Sequence, residues 1–472
     1  MRNDLRLADN PALFTAAGSH RFVAPVVIVS PEGADDWAPG SASRAWQLRS
    51  LAALGERIEA LGGTLTVLTG PAAEAVVGCA QAIGADAVYW NRRYEPSHVA
   101  VDEIVQRRLE SAGIAVHVLP GSLLVEPDVL TTQSGGAYKV FTPFFNAALR
   151  TAESLPLPAP ERILAPPTLP RGVPLAALPP RSGDVPDIDR LWTPGEVGAE
   201  TTAGRFFSEI VDDYERTRER PDIDGTSRLS PHIAFGEISP RTLKALAEKV
   251  VRCNGECHVS EDAAAFTRQL FWRDFAYHLL HHYPHTPELP LRRGFDVFPW
   301  SRDPDALNAW REGMTGFPIV DAGMRQMLAT GWMHNRVRML VASLLTKDLL
   351  LPWTEGSRWF WERLVDADLA NNTFGWQWVA GSGADAAPYF RIFNPVIQGE
   401  RFDPDGAYVK QWVPELEGMP PGWVHRPWSA PTSVLAAAGV TLGRTYPHPI
   451  VDHAAARLRA LAVYGSIRNA GR

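Results

Sequence analysis

Two hydrophobic patterns follow one another along the 472-residue chain, and each is typical of a different class of fold. Near the amino terminus short apolar runs alternate with helical stretches. The apolar runs lie at 22–30, 64–68, 85–90 and 114–119. The helical stretches lie at 44–61, from 71 onward and at 99–111. This alternation predicts an α/β domain built on a doubly wound, parallel sheet. From residue 199 onward helical periodicity dominates, at 241–253, 262–282, 303–312, 318–330, 335–350 and 357–364, which predicts an all-α domain.

A proline-rich stretch separates the two patterns. Eleven of the 40 prolines lie between residues 151 and 200, where neither helical nor strand periodicity is evident. Such a composition favours an extended connector that runs over the protein surface. The predicted organisation is therefore an α/β domain at 1–125, a Pro-rich connector at 126–198 and a helical domain at 199–472.

The chain opens on Arg2-Asn3-Asp4-Leu5-Arg6, a polar segment typical of the loop that follows a first β-strand. We therefore expect the sheet of the α/β domain to lack its first strand. Because the loss of a buried strand would leave unpaired backbone groups in a core, we favour a natural start upstream of residue 1.

Composition argues against several classes of protein. No apolar run is long enough to cross a bilayer and no signal peptide precedes the first domain, so a cytoplasmic protein is expected. The three cysteines, Cys79, Cys253 and Cys257, are too few for a disulfide framework. Cys253 and Cys257 with His258 lack both the spacing and the fourth ligand of a zinc site, so no bound metal is expected. Because the net charge is −7, a nucleic-acid partner would need a local basic patch.

Tryptophan is concentrated in the helical part of the chain. Twelve of the 16 tryptophans lie between Trp272 and Trp428, and for most of them an aromatic core is the simplest interpretation. Four polar-aromatic segments stand out in the same part, at 224–231, 269–275, 331–338 and 366–378. The first, Asp224-Gly-Thr-Ser-Arg-Leu-Ser-Pro231, is a hydroxyl-rich turn that suits either a phosphate or an ordinary helix cap.

The other three segments combine charge with aromatic rings. Tryptophan beside arginine or asparagine suits either nucleic-acid binding or an ion-paired core. In the third segment, Asn335 and Arg338 share one helix face while Arg336 points elsewhere. In the fourth, Asp366 and Asp368 are compatible with metal ligation, with acid–base chemistry or with hydrogen bonding to a bound ring.

These four segments, in this order, resemble the flavin-binding half of the DNA photolyase/cryptochrome family. The segments Arg2–Leu13 and Gly381–Pro395 also resemble family motifs, and the stretch Asp366–Pro395 is too long and specific for a chance match. The resemblance implies an α/β antenna domain, a long connector and an all-helical FAD-binding domain, which agrees with the organisation predicted from periodicity. It also implies a second, light-harvesting chromophore in some members.

The resemblance implies which residues hold FAD. Those expected at its phosphates and ribityl chain are Tyr214, Thr226, Ser227, Leu229 and Ser230. Those expected around the bent cofactor are Phe266, Gln269, Arg273, Asn335, Arg338, Asp366, Asp368 and Asn372. Arg338 would pair with Asp366 beside the isoalloxazine ring and stabilise the anionic reduced flavin, and Asn372 would face the flavin N5 edge.

The resemblance also implies roles in electron transfer and in DNA binding. Trp376, Trp353 and Trp300 would form the electron-hopping chain that runs from the flavin to the surface. Trp272 and Trp378 would cradle a flipped-out pyrimidine dimer, with Gln269, Asn335 and Met339 beside it. The DNA strand around the lesion would be contacted by Arg218, Arg336 and Gln398.

Several positions narrow the expected function. Asn335 and Met339 stand where photolyases of pyrimidine–pyrimidone photoproducts carry two histidines, so the expected substrate is the cyclobutane dimer. Gln269 replaces a glutamate of many dimer photolyases, and glutamine donates a hydrogen bond but has no proton to share. The expected protein is thus a monomeric carbon–carbon lyase that repairs DNA in blue light, closest to the class I cyclobutane pyrimidine dimer photolyases.

Two alternatives stay open at this stage. A blue-light receptor of the cryptochrome type would use the same flavin without catalysis, although no long tail follows Tyr446–Asp452. In the antenna half, Ser97 and His98 replace residues of a folate-binding rim in the segment Trp90–His98. The antenna chromophore is therefore a folate, a deazaflavin, a second flavin or none.

Overall fold

The computed structural model describes residues 1, 3–29, 37–152, 155–178, 185–254, 256–385 and 391–470. Its strands are β1 (Val26–Val29), β2 (Thr66–Thr69), β3 (Ala87–Asn91), β4 (Ala115–Leu119), β5 (Val251–Asn254) and β6 (Glu256–Val259). Its helices are α1 (Pro11–Ser19), α2 (Ser41–Ala60), α3 (Ala72–Ile83), α4 (Pro96–Ser111), α5 (Phe141–Thr151), α6 (Ile188–Leu191), α7 (Glu196–Arg205), α8 (Tyr214–Thr217), α9 (Ser230–Ala234), α10 (Pro240–Ala247), α11 (Glu261–His282), α12 (Pro304–Glu312), α13 (Pro318–Thr330), α14 (Asn335–Ser343), α15 (Trp353–Arg363), α16 (Leu369–Ala380), α17 (Pro395–Phe402), α18 (Ala407–Trp412), α19 (Pro421–Val424), α20 (Thr432–Ala437) and α21 (His453–Ala470). Within these ranges no helix is both long and apolar enough to cross a membrane.

The chain divides into two compact units. Unit 1 comprises Met1–Asp212, Ser227–Pro284 and Val365–Ala370, and unit 2 comprises Asp213–Thr226, His285–Leu364 and Asn371–Arg472. Among the described residues, the six strands all lie in unit 1, and the regular elements of unit 2 are helices. The predicted domain boundaries after residues 125 and 198 remain predictions.

Unit 1 begins with two separate parallel sheets. β1 pairs with β2 in the register Val26 to Thr66, and β3 pairs with β4 in the register Ala87 to Ala115. Each pair is joined by a crossover helix, α2 in the first and α4 in the second, as parallel neighbours require. The α/β class is confirmed, but the single continuous sheet that the alternation predicted is observed as two.

A cavity of about 1300 Å³ separates the two sheets. Apolar side chains line much of it, among them Ile28 of β1, Trp90 of β3, Leu13 of α1 and Val76 of α3. Residues of both β1 and β3 line it, so the cavity lies where the predicted sheet divides.

Buried polar groups anchor the amino-terminal loop of unit 1. Arg6, only 2% exposed, donates hydrogen bonds of 2.6–3.1 Å to the carbonyl oxygens of Asp9, Gly121 and Gly236. The carboxylate of Glu196 accepts two backbone N–H groups of the same loop at 2.8 and 2.9 Å. Since a buried guanidinium must be hydrogen-bonded, these distant partners fix the course of the loop.

The predicted connector is not extended throughout, because it contains α5. This helix buries Phe141 and Phe144 on one face, and the Phe144 ring lies 5.1 Å from that of Phe275 on α11. Apolar residues three and four apart form such a face. The connector was predicted to be extended because of its prolines, but α5 ends before the proline-rich stretch begins.

Two predicted helices of the C-terminal half are shorter than expected. The helix expected over 241–253 ends at Ala247, and β5 and β6 form an antiparallel hairpin with Val251 opposite Val259. The Asn-Gly sequence at 254–255 favours such a tight turn and outweighs the helical pattern. The helix expected over 335–350 ends at Ser343, and Leu344–Asp348 continues as a π-helical turn.

A buried carboxylate connects separate segments of unit 2 through hydrogen bonds. Asp321 on α13 accepts hydrogen bonds from the backbone N–H and hydroxyl of Thr315 at 2.7 and 2.6 Å, from the Gly316 N–H at 3.0 Å and from the Tyr446 hydroxyl at 2.6 Å. Burial raises the pKa of Asp321, although its hydrogen-bond donors favour the ionised form. This carboxylate therefore joins α13 to the segment that precedes α21.

Candidate functional site

The hydroxyl-rich turn lies immediately before α9. Arg228 has a φ of 53°, so the backbone passes through the left-handed region there. The Leu229 N–H donates to the Ser227 hydroxyl at 3.4 Å, and α9 begins at Ser230. The hydroxyls of Thr226, Ser227 and Ser230 thus cluster in sequence at a sharp turn, and this donor set fits a phosphate-bearing cofactor.

Two predicted cofactor residues on α11 make local contacts in unit 1. Phe266 is 3% exposed and packs on the ring of Phe206, with the centroids 4.8 Å apart. The Gln269 side-chain amide donates to the carbonyl of Ala265 on the same helix at 3.1 Å. Gln269 is only half-buried, so its side chain remains accessible at the surface of α11.

Arg273, Tyr277 and Asp368 form a charged cluster in unit 1. The guanidinium of Arg273 lies 4.5 Å from the ring centroid of Tyr277, and the Tyr277 hydroxyl donates a short hydrogen bond to Asp368. Burial and the neighbouring Asp368 carboxylate raise the pKa of Tyr277 well above its usual value. Asp366, 9% exposed, lies in the same short segment as Asp368. Arg273 and Asp368, which were predicted to surround FAD, are therefore close together, whereas the predicted pairing of Arg338 with Asp366 remains a prediction.

Asp274, next to Arg273, fastens the loop after β4 to α11. Its carboxylate accepts the backbone N–H groups of Leu124 and Val125 at 2.8 and 2.9 Å. Burial raises the pKa of Asp274 to about 7, although the Arg273 guanidinium and the two N–H groups favour its ionised form. Because the folded protein binds this proton more tightly than the unfolded chain, the contribution of Asp274 to stability falls as the pH rises from about 4 to about 7.

We expect Asp274→Asn to remove this loss. The amide oxygen can accept both N–H groups, so the loop should stay attached while the buried charge disappears. The free energy of unfolding of the variant, relative to the unmodified protein, should rise by on the order of 2–4 kcal/mol between pH 4 and pH 8. Urea unfolding at both pH values measures this difference, and the exposed Asp86→Asn serves as the control. An equal difference at both pH values would refute the proposed titration.

Trp272 is stacked within an aromatic cluster of unit 1. Its ring is nearly parallel to that of Phe141 on α5, with a centroid distance of 3.5 Å and an interplanar angle of 7°. Arg268 covers Phe141 and Phe145 at 4.9 and 4.7 Å. The sequence did not indicate Phe141 as the partner of Trp272, because α5 was assigned to an extended connector.

The three tryptophans of the predicted electron chain all belong to unit 2 and differ in exposure. Trp376 on α16 is 3% exposed, Trp353 at the start of α15 is 4% exposed, and Trp300 is half-buried. Trp300 packs beside the ring of Phe298, with a centroid distance of 4.2 Å. The series thus contains two buried indoles and one that reaches solvent, as a path from the interior to the surface requires.

Other predicted residues of unit 2 lie on α14 and α16. Asn335 is exposed at the start of α14, and Arg338 and Met339 follow three and four positions later on the same face. The Arg338 Nε atom donates to the Met333 carbonyl at 2.8 Å. On α16, the Asn372 amide donates to the carbonyl of Ser357 on α15 at 3.0 Å, which fixes the orientation of this side chain.

The residues predicted to contact DNA form a cluster in unit 2. Arg336 makes a close ion pair with Glu219, and Arg218 lies 3.4 Å from the same carboxylate. The Arg336 guanidinium also lies 4.5 Å from the centroid of Phe402, and Gln398 is four residues before Phe402 on α17. The structure therefore brings Arg218 and Arg336 together at Glu219, and Gln398 lies about one helical turn before Phe402 on α17. Tyr214, a predicted cofactor residue, is 8% exposed and lies under Arg218 at 5.7 Å.

Sequence reasoning missed two arginines that cover aromatic rings. Arg401 lies 4.9 Å from the centroid of Phe402, and Arg391 lies 5.8 Å from that of Trp378, a predicted lesion residue. Arginines over aromatic faces are well placed to hold phosphate beside a stacked base. Arg401 directly precedes Phe402, but nothing in the sequence indicates that Arg391 reaches Trp378.

The predicted antenna rim lies in unit 1. Arg93 pairs with Asp102 at 2.7 Å, and His98 lies 3.4 Å from Glu95. Arg93, Ser97 and His98 all line the cavity between β1 and β3. The side chains of Cys253, Cys257 and His258 lie outside the described residues, and among the described residues no group of three potential metal ligands is found.

Two family models match the chain. The model described as the FAD binding domain of DNA photolyase matches residues 266–466, and the model described as DNA photolyase matches residues 1–161. A deoxyribodipyrimidine photo-lyase of Agrobacterium fabrum is 45% identical, over 99% of this chain and 97% of that protein. Cryptochrome-2 of Arabidopsis thaliana is 37% identical, over 97% of this chain and 76% of that protein.

Solved structures give the same result. A crystal structure of a bacterial class III photolyase from Agrobacterium tumefaciens superposes with a TM-score of 0.93 at 44% identity, covering 99% of this chain and 97% of the other. An archaeal photolyase from Sulfolobus tokodaii with two FAD molecules superposes with a TM-score of 0.83 at 30% identity, covering 99% and 98%. The expected placement in class I is not supported, because the relative with 44% identity belongs to class III. With both halves matched and identity of 45% over nearly the whole chain, the protein is a member of the DNA photolyase/cryptochrome family.

Proposed function

We propose that this chain is a deoxyribodipyrimidine photo-lyase, a carbon–carbon lyase that repairs cyclobutane pyrimidine dimers in DNA under blue light. When bound, reduced and anionic FAD would supply a photoexcited electron to a dimer flipped out of the DNA. The chain's own residues would bind the cofactor, exclude water, hold the lesion and carry electrons from the surface. We further propose a monomer that works in the cytoplasm.

The observation that carries this proposal is the fixed amide of Asn372. Its N–H group donates to the Ser357 carbonyl, a contact that an ionised aspartate could not make. An asparagine at this position is what the resemblance implies for photolyases rather than for animal or plant cryptochromes. The held amide therefore supports repair over a purely sensory role.

The basic and aromatic residues of unit 2 support DNA as the partner. Arg336 and Arg401 lie over Phe402 of α17, and Arg218 shares Glu219 with Arg336. Arg391 covers Trp378. On a chain with a net charge of −7, this local grouping of guanidinium groups is the kind of patch that phosphate binding needs. Trp378 would stack on the displaced lesion beside the cation.

We propose class III as the subtype, on the similarity to the Agrobacterium structure. The cyclobutane dimer as substrate is supported by Asn335 and Met339, which leave α14 without the histidine pair expected for the other photoproduct. A second chromophore would be held in unit 1, and Arg93, Ser97 and His98 at the cavity are the residues we propose to test for it.

A photorepair assay tests the function. Protein loaded with FAD and reduced anaerobically is mixed with an oligonucleotide that carries one cyclobutane dimer, and loss of the dimer is followed under blue light and in the dark. We expect loss in the light only, and no change in an oligonucleotide that carries a pyrimidine–pyrimidone photoproduct. Binding should weaken as salt rises, because each phosphate contact releases counterions. Dimer that persists in the light with FAD bound would refute the repair function.

The same assay distinguishes a photolyase from a blue-light receptor. The receptor is the second candidate because the chain is 37% identical to Cryptochrome-2 of Arabidopsis. A receptor would still photoreduce its flavin but would leave the dimer intact. It would also bind damaged and undamaged DNA equally, whereas a photolyase should prefer the lesion because extrusion of a damaged, poorly stacked base costs less.

A further inference from the structure

Gly356 occupies a position on α15 where a side chain has no room. An added Cβ atom would lie 2.1 Å from Cη2, 2.5 Å from Cζ3 and 2.6 Å from Cζ2 of Trp376. Carbon atoms in favourable contact are about 3.5–4.0 Å apart. The six-membered ring of Trp376 therefore rests directly on the backbone of α15 at this residue.

The helical conformation of α15 does not require glycine at this position. Gly356 lies inside α15 (Trp353–Arg363), where alanine is the better helix former. The glycine is thus explained by the tertiary contact with Trp376 and not by the local conformation of the chain.

Trp353, Gly356 and Phe360 lie on one face of α15, because they are spaced by three and four residues. The Phe360 ring meets Trp376 edge to face with the centroids 5.0 Å apart. Trp376 is therefore pressed against the same face of α15 that carries Trp353, one turn of helix away.

A third ring holds Trp376 from another direction. Trp310 on α12 is fully buried, and its centroid lies 6.2 Å from that of Trp376 in an edge-to-face arrangement. The Trp310 indole N–H donates to the Val341 carbonyl at 2.9 Å, which fixes its own position. Trp376 thus has little freedom to move away from Gly356 without displacing Trp310 or Phe360.

We infer that Gly356 is a positioning residue of the tryptophan chain, since its missing side chain lets the Trp376 ring lie against the turn of α15 that begins at Trp353. This inference rests on the proposed function, because it presumes that electrons pass between Trp353 and Trp376. Gly356 would act through Trp376 and would touch neither cofactor nor DNA.

Gly356→Ala tests this role. To reach normal contact, the Trp376 ring would have to move by about 1.5 Å. We expect photoreduction of oxidised FAD to slow several-fold, because electron transfer between two rings weakens as the rings move apart. Transient absorption should show a smaller yield of the tryptophan radical, while repair by chemically pre-reduced protein stays close to normal. Gly78→Ala on α3, where an added Cβ meets nothing within 4 Å, is the matched control.

The same substitution in a Trp376→Phe background distinguishes an effect of the contact with Trp376 from a general effect on folding. Phenylalanine is smaller than tryptophan, so in Trp376→Phe the added methyl group of Gly356→Ala should be tolerated. We expect Gly356→Ala to lower the unfolding temperature when Trp376 is present and to leave it unchanged or higher in the Trp376→Phe background. If Gly356→Ala does not fold with Trp376 but folds with Phe at this position, the contact is supported; failure in both backgrounds overturns it.

The outcomes also distinguish the inference from the proposed function. Normal photoreduction and a normal radical yield in Gly356→Ala, with Trp353→Phe slow, would overturn the role of Gly356 alone. If Trp353→Phe is normal as well, the electron chain itself is refuted.

Discussion

Trp353→Phe is expected to slow photoreduction of oxidised FAD by about 100-fold or more, which corresponds to a barrier higher by about 2.7 kcal/mol. Trp353 is 4% exposed and stands between the buried Trp376 and the half-buried Trp300 in the proposed order of electron transfer. A phenyl ring is much harder to oxidise than an indole, so the middle step would become strongly uphill. Repair by protein reduced chemically beforehand should remain nearly normal, because that reaction does not need the chain.

The measurement compares flavin absorbance under continuous blue light with dimer loss by pre-reduced protein. Trp359→Phe is the matched control, because Trp359 lies on the same helix but sits between the guanidinium groups of Arg311 and Arg363, at 5.1 and 4.7 Å. Two cations over an indole disfavour its oxidation, so this ring is a poor electron carrier. A normal rate in Trp353→Phe, or an equal loss in Trp359→Phe, would contradict the assigned path.

Asp321→Ala is expected to destabilise unit 2 strongly. The carboxylate is fully buried and accepts four hydrogen bonds, so its removal leaves the Tyr446 hydroxyl and the donors of Thr315 and Gly316 without a partner. Each buried unsatisfied donor costs about 1–3 kcal/mol, and we expect the free energy of unfolding to fall by at least about 3 kcal/mol. Chemical unfolding of the purified protein gives this value.

Two companion variants make the measurement specific. Asp321→Asn retains one acceptor oxygen and should lose less than Asp321→Ala. Asp305→Ala removes an exposed carboxylate on α12 and should change the free energy of unfolding by no more than about 0.5 kcal/mol. Equal stability of Asp321→Ala and Asp305→Ala would show that the buried network contributes nothing.

The sequence allowed good prediction wherever a pattern was local. The helix expected at 318–330 is observed as α13 over the same residues, and the helix expected at 262–282 is observed as α11. Two elements were misjudged for different reasons. The hairpin at 251–259 pairs neighbouring segments, and the helical pattern there was given more weight than the local Asn-Gly signal. By contrast, α5 is recognisable only once its partner α11 is known.

The candidate site shows the same division. Resemblance supplied the predicted site residues, because the motifs are contiguous in sequence. It did not predict that Trp272 stacks on Phe141, that Arg391 lies over the ring of Trp378 or that Gly356 contacts Trp376. These contacts join residues that are far apart along the chain or on different helices, and no periodicity encodes them.

The anchoring of the amino-terminal loop has a consequence for synthesis on the ribosome. Arg6 and the adjoining backbone need Glu196 and the carbonyl of Gly236, residues translated about 190 and 230 positions later. Until those residues emerge, the nascent α/β region holds a guanidinium and backbone N–H groups whose final partners do not yet exist. The first 125 residues are therefore a poor candidate for independent folding, and a fragment cut there should stay prone to aggregation.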